Sequence, residues 1–224
     1  MRKSLTALIA LTLFTFSSCY RGRKEDTKQP ASASVATTAP SENSIANPDF
    51  SIVTPHGWTK EYHPFPLDFA PQITYKGYAD VRFPPSWSFR AGDEFWSYVA
   101  IWWLTDTPRL DDKTLVQTLE QYYTGLARKY RPGSIKPTDS MALATAHVIK
   151  TTTDTSDAAT YNATATVYDG FVTMSRLNIN FKIHFIPCEK GKATVVIFEI
   201  SPKDYTNSIW QTMDKIKSQF KCTD

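Results

Sequence analysis

"FWSYVAIWWL", Phe95 to Leu104, carries five aromatic side chains in ten residues. A helix that crosses a bilayer needs about 20 apolar residues, so this run is too short to span one. It is preceded by "PPSWSFRAGDE" and followed by "TDTPR", both rich in turn-forming residues. An aromatic and β-branched run bounded in this way reads as a strand. Alternation places Trp96, Tyr98, Ala100, Trp102 and Leu104 on one face, and Phe95, Ser97, Val99, Ile101 and Trp103 on the other. Both faces are apolar, so the strand is central or covered on both sides. Most of these rings read as core. A second use is open to one set, which with Trp87 and Phe89 of "SWSF" would line a concave pocket. Trp87, Trp96, Tyr98 and Trp102 are therefore candidate ligand-binding residues, because rings with a polar tip suit a sugar face or a partner's apolar anchor.

Downstream, "LNINFKIHF" alternates Leu177, Ile179, Phe181, Ile183 and Phe185 with Asn178, Asn180, Lys182 and His184. That period of two describes a strand with one dry and one wet face, on which His184 reads as a surface histidine. "EKGK" (Glu189 to Lys192) is a turn, and "ATVVIFEIS", apolar on both faces until Glu199, completes a hairpin as a central strand. "MALATAHVIK" (Met141 to Lys150) and "YNATATVYD" (Tyr161 to Asp169) alternate around a polar turn. Two amphipathic helices accompany them. One carries Leu115, Leu119, Tyr122, Leu126 and Tyr130, with Asp111 or Asp112 to cap its start and Pro132-Gly133 to end it. The other carries Ile209, Met213, Ile216 and Phe220. The simplest packing sets both on one face of the sheet. In His56 to Phe83, "ITYKGYADVRF" suggests one or two short strands split near Gly77, and the rest reads as ordered loop packed by its own rings.

The chain opens "MRKSLTALIALTLFTFSSCY". Arg2 and Lys3, an apolar run from Leu5 to Phe16, and then Ser17, Ser18 and Cys19 have the layout of a secretory signal peptide. Phe16-Ser17-Ser18-Cys19 resembles a bacterial lipobox, which implies that residues 1–18 are removed and that Cys19 becomes the acylated N-terminus. One acyl chain holds a membrane only marginally, at about 0.8 kcal/mol per CH₂, whereas several chains on one residue anchor stably. Residues 19–48 are rich in Ser, Ala, Thr and Pro and too poor in large apolar groups to offset their ordering entropy, so they read as a flexible tether. Tyr20, where an Asp would signal inner-membrane retention in enterobacterial-type sorting, points to the outer membrane. Lys24-Glu25-Asp26 is similar to short tags that route some lipoproteins to the cell surface.

Residues 49–224 are long enough for one domain with a full core. Removing Arg2 and Lys3 from the 25 basic residues leaves 23 against 22 acidic ones. That balance gives no basic patch for nucleic acid. Beyond Cys19 only Cys188 and Cys222 remain, and in an exported protein two cysteines read as one disulfide. No HExxH, Gly-x-Ser-x-Gly elbow or phosphate-cradling glycine loop is present, and no metal or cofactor is expected. Asp80, Asp93, Glu94 and Asp106 flank the aromatic strand and could pair as acid and base on a sugar, although acids at strand ends are usually solvated turn residues.

The order of strands, helix, strands, hairpin and C-terminal helix, closing on "VVIFEISPKDYTNSIWQTMDKIKSQF", looks like the Mog1/PsbP-like fold and resembles small envelope lipoproteins of the DcrB type. The expectation is an α+β domain, a single antiparallel sheet flanked by two main helices. It would act as a membrane-anchored, non-enzymatic binding or assembly module for an envelope protein or glycan. Replacing Cys19 tests the anchor directly: Cys19→Ala should move the protein from the membrane to the soluble fraction, and a variant still acylated and membrane-bound would refute the lipobox reading.

Overall fold

A computed structural model describes residues 49–106, 111–130, 143–189 and 192–223. The signal-like segment 1–18, Cys19, the tether 19–48 and Pro132-Gly133 lie outside these residues. In chain order the elements are β1 (Phe50–Ser51), β2 (Thr59–Pro64), β3 (Gly77–Phe83), β4 (Tyr98–Leu104), α1 (Asp112–Tyr130), β5 (Ala144–Lys150), β6 (Ala159–Asp169), β7 (Ser175–Cys188), β8 (Ala193–Ser201), α2 (Ser208–Ser218) and β9 (Lys221–Cys222). Among the described residues no helix is long and apolar enough to cross a membrane.

Every residue of β4 is buried. The strand lies inside a seven-stranded sheet ordered β2-β3-β4-β8-β7-β6-β5, in which every neighbouring pair is antiparallel. β8 sits between β4 and β7, which agrees with its apolar faces. The architecture is α+β and mostly antiparallel, but it is not one sheet. β1 and β9 form a second, two-stranded sheet with Phe50 opposite Cys222. The physical reason is Phe50, which is buried against Tyr78, Trp103 and Phe220. The start of the domain folds over the sheet to bury that ring, and the end of the chain pairs with it.

The helices do not share a face. Leu115, Leu119 and Tyr123 of α1 pack with Tyr98, Ala100, Trp102 and Leu104. Ile209, Trp210, Met213 and Ile216 of α2 pack with Val99, Ile101 and Trp103 on the opposite side. The result is a helix, sheet, helix sandwich, and it explains why β4 is apolar on both faces. The Asp111 carboxylate accepts the Thr114 N–H at 2.9 Å at the start of α1. Asn207 caps α2 by accepting the Ile209 N–H at 2.9 Å. Both are ordinary N-terminal caps that satisfy otherwise orphaned donors.

The quoted aromatic stretch is a strand only from Tyr98 onward, and the alternation holds from there. Phe95 and Trp96 belong to a turn, with Trp96 at φ 53°. A left-handed backbone is uncommon outside glycine. Here it puts Trp96 and Phe95 into the same α1-side core, where strict alternation would have separated them. β2, by contrast, falls in sequence read as loop. "TKEYHP" is polar because β2 is an edge strand, mostly exposed, with only Tyr62 and His63 partly covered. Gly77 opens β3 at φ 120°, and a Cβ there would lie 1.9 Å from the Trp103 carbonyl oxygen. Gly125 has the same kind of reason. Glycine inside a helix costs about 1 kcal/mol relative to alanine, yet a Cβ at this position would lie 2.0 Å from the Phe69 carbonyl oxygen. The loop between β2 and β3 therefore runs directly against α1.

Cys188, the last residue of β7, and Cys222 of β9 form a disulfide with their Cα atoms 5.8 Å apart and a sequence separation of 34. The bridge joins the small sheet to the large one. The chain-entropy model for a loop of this size gives about 3–4 kcal/mol. The double variant Cys188→Ser, Cys222→Ser should lose about that much in chemical denaturation, and a midpoint equal to the parent's would show that the crosslink is neutral.

Candidate functional site

On the α1 side of the sheet, the edge beyond β4 is left partly open. A cavity of about 260 Å³ lies there, and eight of its twelve lining residues are Phe, Trp or Tyr. β2 and β3 give the floor: Glu61, His63, Val81 and Phe83. The connecting loops add Phe69, Trp87 and Trp96, and β4 adds Tyr98. The C-terminal half of α1 supplies Tyr122, Leu126 and Tyr130, and Phe171 comes from the turn after β6. The walls hold one another by ring contact. Phe83 lies 5.3 Å from both Trp87 and Tyr98, Trp87 meets Phe171 edge-on at 6.1 Å, and Phe171 lies 4.8 Å from Tyr130.

Trp87, Trp96 and Tyr98, singled out in the sequence, do come together here. Trp102 does not. It is buried beneath α1, against Phe65, Tyr122 and Phe198, and belongs to the core. Phe89 is 62% exposed and is not in the wall. Sequence reasoning missed the residues from α1, β2, β3 and the β6–β7 turn, because only the fold gathers them. The acids proposed for sugar chemistry are also absent from the lining. Asp80 is tied to Arg82, Glu94 to the hydroxyl and amide of Ser86, and Asp93 to Asn207 at 3.3 Å. These three are each used by a structural partner, the buried Asp106 Oδ1 makes no hydrogen bond among the described residues, and none of the four lines the cavity.

Two groups set the electrostatics of this site. Glu61 lies at the mouth, with one oxygen 3.2 Å from His63 Nε2. Burial pushes the Tyr122 phenol well above its ordinary range, and the charge of Glu61 adds to the shift. Asp169 stands behind the far wall, fully buried. It accepts the amides of Phe171 (2.9 Å), Val172 (3.1 Å) and Thr173 (2.7 Å) and the Thr173 hydroxyl (2.8 Å). Those bonds fix the turn that carries Phe171. The indole N–H of Trp96 is buried and closes no hydrogen bond of normal geometry, but it acts on the same carboxylate. Burial would raise the Asp169 pKa; the hydrogen bonds from Phe171 and Thr173 outweigh it and hold the carboxyl below the usual range.

The α2 side carries a different assembly. His184, read as a surface residue, is 2% exposed, because the 151–158 loop and α2 cover that part of the sheet. Its Nδ1 lies 2.7 Å from Asp157 Oδ2 and 3.5 Å from Asp154. Asp154, Asp157 and His184 bring one ligand atom each within 4.8 Å of one another, a spacing that could hold a metal ion. The Lys217 ammonium already occupies the carboxylates, 2.9 Å from Asp157 and 3.1 Å from Asp154. One ammonium thus offsets part of the charge of the two carboxylates. Burial alone would raise the pKa of Asp157, but hydrogen bonds from His184, Thr160 and Lys217 bring it down to about 2. Glu199 is fully buried and neither of its oxygens is hydrogen-bonded. Burial pushes its pKa well up and Asp214 adds to this, against the opposing charge of Lys182.

Asp169 and Asp157 both have folded-state pKa values below the roughly 3.9 of an unfolded aspartate. Their stabilisation is therefore present above about pH 4 and is lost as pH falls through the folded values. Thermal melts should decline between about pH 4 and pH 2. Asp169→Asn should flatten part of that decline and, at pH 7, cost roughly 1–3 kcal/mol through the amides it leaves under-bonded. A variant that melts like the parent at pH 7 would remove Asp169 as the organiser of the Phe171 turn.

No family model and no curated protein matches the chain. Among solved structures it is similar to LpqN of Mycobacterium tuberculosis, described as involved in cell envelope biogenesis. The two share 14% identity over 80% of this chain and 88% of that one, with a TM-score of 0.31. A likeness at that level transfers neither fold nor function.

Proposed function

We propose that this chain is a lipid-anchored protein of a bacterial cell envelope, held at the outer membrane through Cys19, whose folded domain works by binding a small ligand in the aromatic cavity. The anchor reading is supported by the lipobox-like Phe16-Ser17-Ser18-Cys19 and the polar segment after it. The order of three strands, a helix, four strands and a helix around the large sheet supports keeping the Mog1/PsbP-like resemblance within this reading.

The observation that carries the binding role is the cavity itself. Concave apolar sites with a few polar groups are where small molecules bind. Its wall offers ring faces and few hydrogen-bonding groups, since the Tyr98 hydroxyl is already paired with Tyr123 at 2.8 Å. That composition favours an apolar-faced ligand over a glycan, whose hydroxyls would go unmatched. A protein partner is the second reading, and a different surface favours it. The face of β5, β6 and β7 beyond the reach of α2 shows Thr145, His147, Thr164, Thr166, Asn178 and Asn180.

Trp87 and Trp96, two of the six tryptophans, line the cavity, so occupancy is readable by fluorescence. A panel of small apolar, aromatic and cationic compounds and sugars should contain members that quench or shift the emission. Leu126→Trp, which fills the space from α1, should abolish their binding. Silence across the panel, with the parent folded, would reject the cavity as the binding site.

A further inference from the structure

We infer that the ligand of this cavity is an organic cation, a small molecule presenting a methylated ammonium group; the inference rests on the ligand-binding reading above and narrows it. Three observations lead there. Aromatic ring faces are negative, and a cation within about 6 Å of several ring centroids is attracted by all of them. Here Phe83, Trp87, Phe171 and Tyr130 form a connected wall of rings. Among the described residues Glu61 is the single acid of the lining, and the lining they form contains no Lys or Arg. An anionic ligand would be repelled by Glu61 and by the ring faces. A neutral apolar ligand would leave the Glu61 carboxylate with His63, 3.2 Å away, as its neighbour, whereas a cation adds a full charge to match it.

The rim already shows the preference in miniature. The Lys129 ammonium lies 5.3 Å from the Tyr130 ring centroid and 5.9 Å from that of Phe69, and both rings line the cavity. Lys129 is itself paired with Asp68, so its charge is matched outside the site, while Glu61 at the mouth has only the neighbouring His63 beside it among the described residues. A methylated ammonium has no N–H to satisfy, which suits a wall of rings poor in acceptors. Size points the same way. About 260 Å³ lies below the roughly 300–1,000 Å³ of sites for drug-sized ligands, and it fits a compact head group.

The test compares choline and tetramethylammonium with the neutral carbon isostere of choline, in which carbon replaces the quaternary nitrogen, by calorimetry and tryptophan fluorescence on the full chain. Choline should bind at least tenfold more tightly than its isostere, and the advantage should shrink as salt is raised. Glu61→Gln, at an exposed position where the fold is not at stake, should erase the advantage of choline over its isostere, and an advantage that survives the substitution would overturn the role of Glu61 in selecting a cation. Equal binding of choline and isostere would overturn the cationic class and leave the cavity reading standing. So would failure of both when another apolar member of the panel still quenches. Failure of every compound overturns both.

Discussion

One covering layer cannot satisfy Val99, Ile101 and Trp103 on one side of β4 together with Tyr98, Ala100, Trp102 and Leu104 on the other. Burying a large apolar side chain is worth about 1.5–3 kcal/mol. Leaving the first three in water would cost roughly 5–9 kcal/mol, comparable with the whole net stability of a domain. β4 must therefore be sandwiched. The rest of the topology follows from that requirement. The chain leaves β4 for α1, which covers one face, and returns at the far edge as β5. The β5 to β8 meander then walks back until β8 pairs with β4. Only then is α2 made, and it closes the other face.

The two sides differ in how they are finished. On the α1 side the packing is largely apolar, rings set among aliphatic side chains, and stops short of the sheet edge at β2, which is where the cavity lies. On the α2 side the edge of the core is polar, with Lys182, His184, Glu199 and Lys217 under or beside the helix. Lys182 lies 5.5 Å from the Trp210 ring and 2.5 Å from Asp214, so its stem covers the core while its charge is shared. A buried ionic network contributes little net stability compared with an apolar one, and removing one member is costly. It does specify where the 151–158 loop must sit, because only that loop brings Asp154 and Asp157 to Lys217.

The strongly periodic elements were legible from sequence. The alternation of Leu177 to Phe185 and the two-sided apolar character of Val195 to Phe198 were placed correctly, since burial leaves its period in the chain. The helical stripes were right in part, because Tyr123 and Ala127 take the buried face in the second half of α1 while Tyr130 is exposed, and Phe220 lies beyond the end of α2. The failures have identifiable causes. Trp96 breaks the alternation because its backbone turns left-handed, and nothing in its neighbours announces that. β2 was invisible because an exposed edge strand needs no apolar face. His184 read as wet because covering by a distant loop and helix leaves no local mark. Of the cavity, the sequence yielded Trp87, Trp96 and Tyr98, which lie close together in the chain. Glu61, Tyr130 and Phe171 are separated by dozens of residues, and only the sheet order joins them. Trp102 was grouped with the site by composition, and one turn of packing under α1 separates it.

The pairing of β1 with β9 has a mechanical consequence. Any pull on the chain ahead of Asp49 enters the domain at β1, two residues long and seated by one ring, Phe50. The Tyr78 hydroxyl holds the Asp49 carboxylate at 3.0 Å, and the Thr223 amide holds the Asp49 carbonyl at 3.1 Å. From β9 the load passes through the Cys188–Cys222 bond into β7, in the interior of the sheet. Without that shunt, tension would run along the backbone into β2, the unzippable edge strand that carries Glu61 and His63. The small sheet thus acts as strain relief, like the clamp on a cable, and keeps the mouth of the cavity out of the line of force.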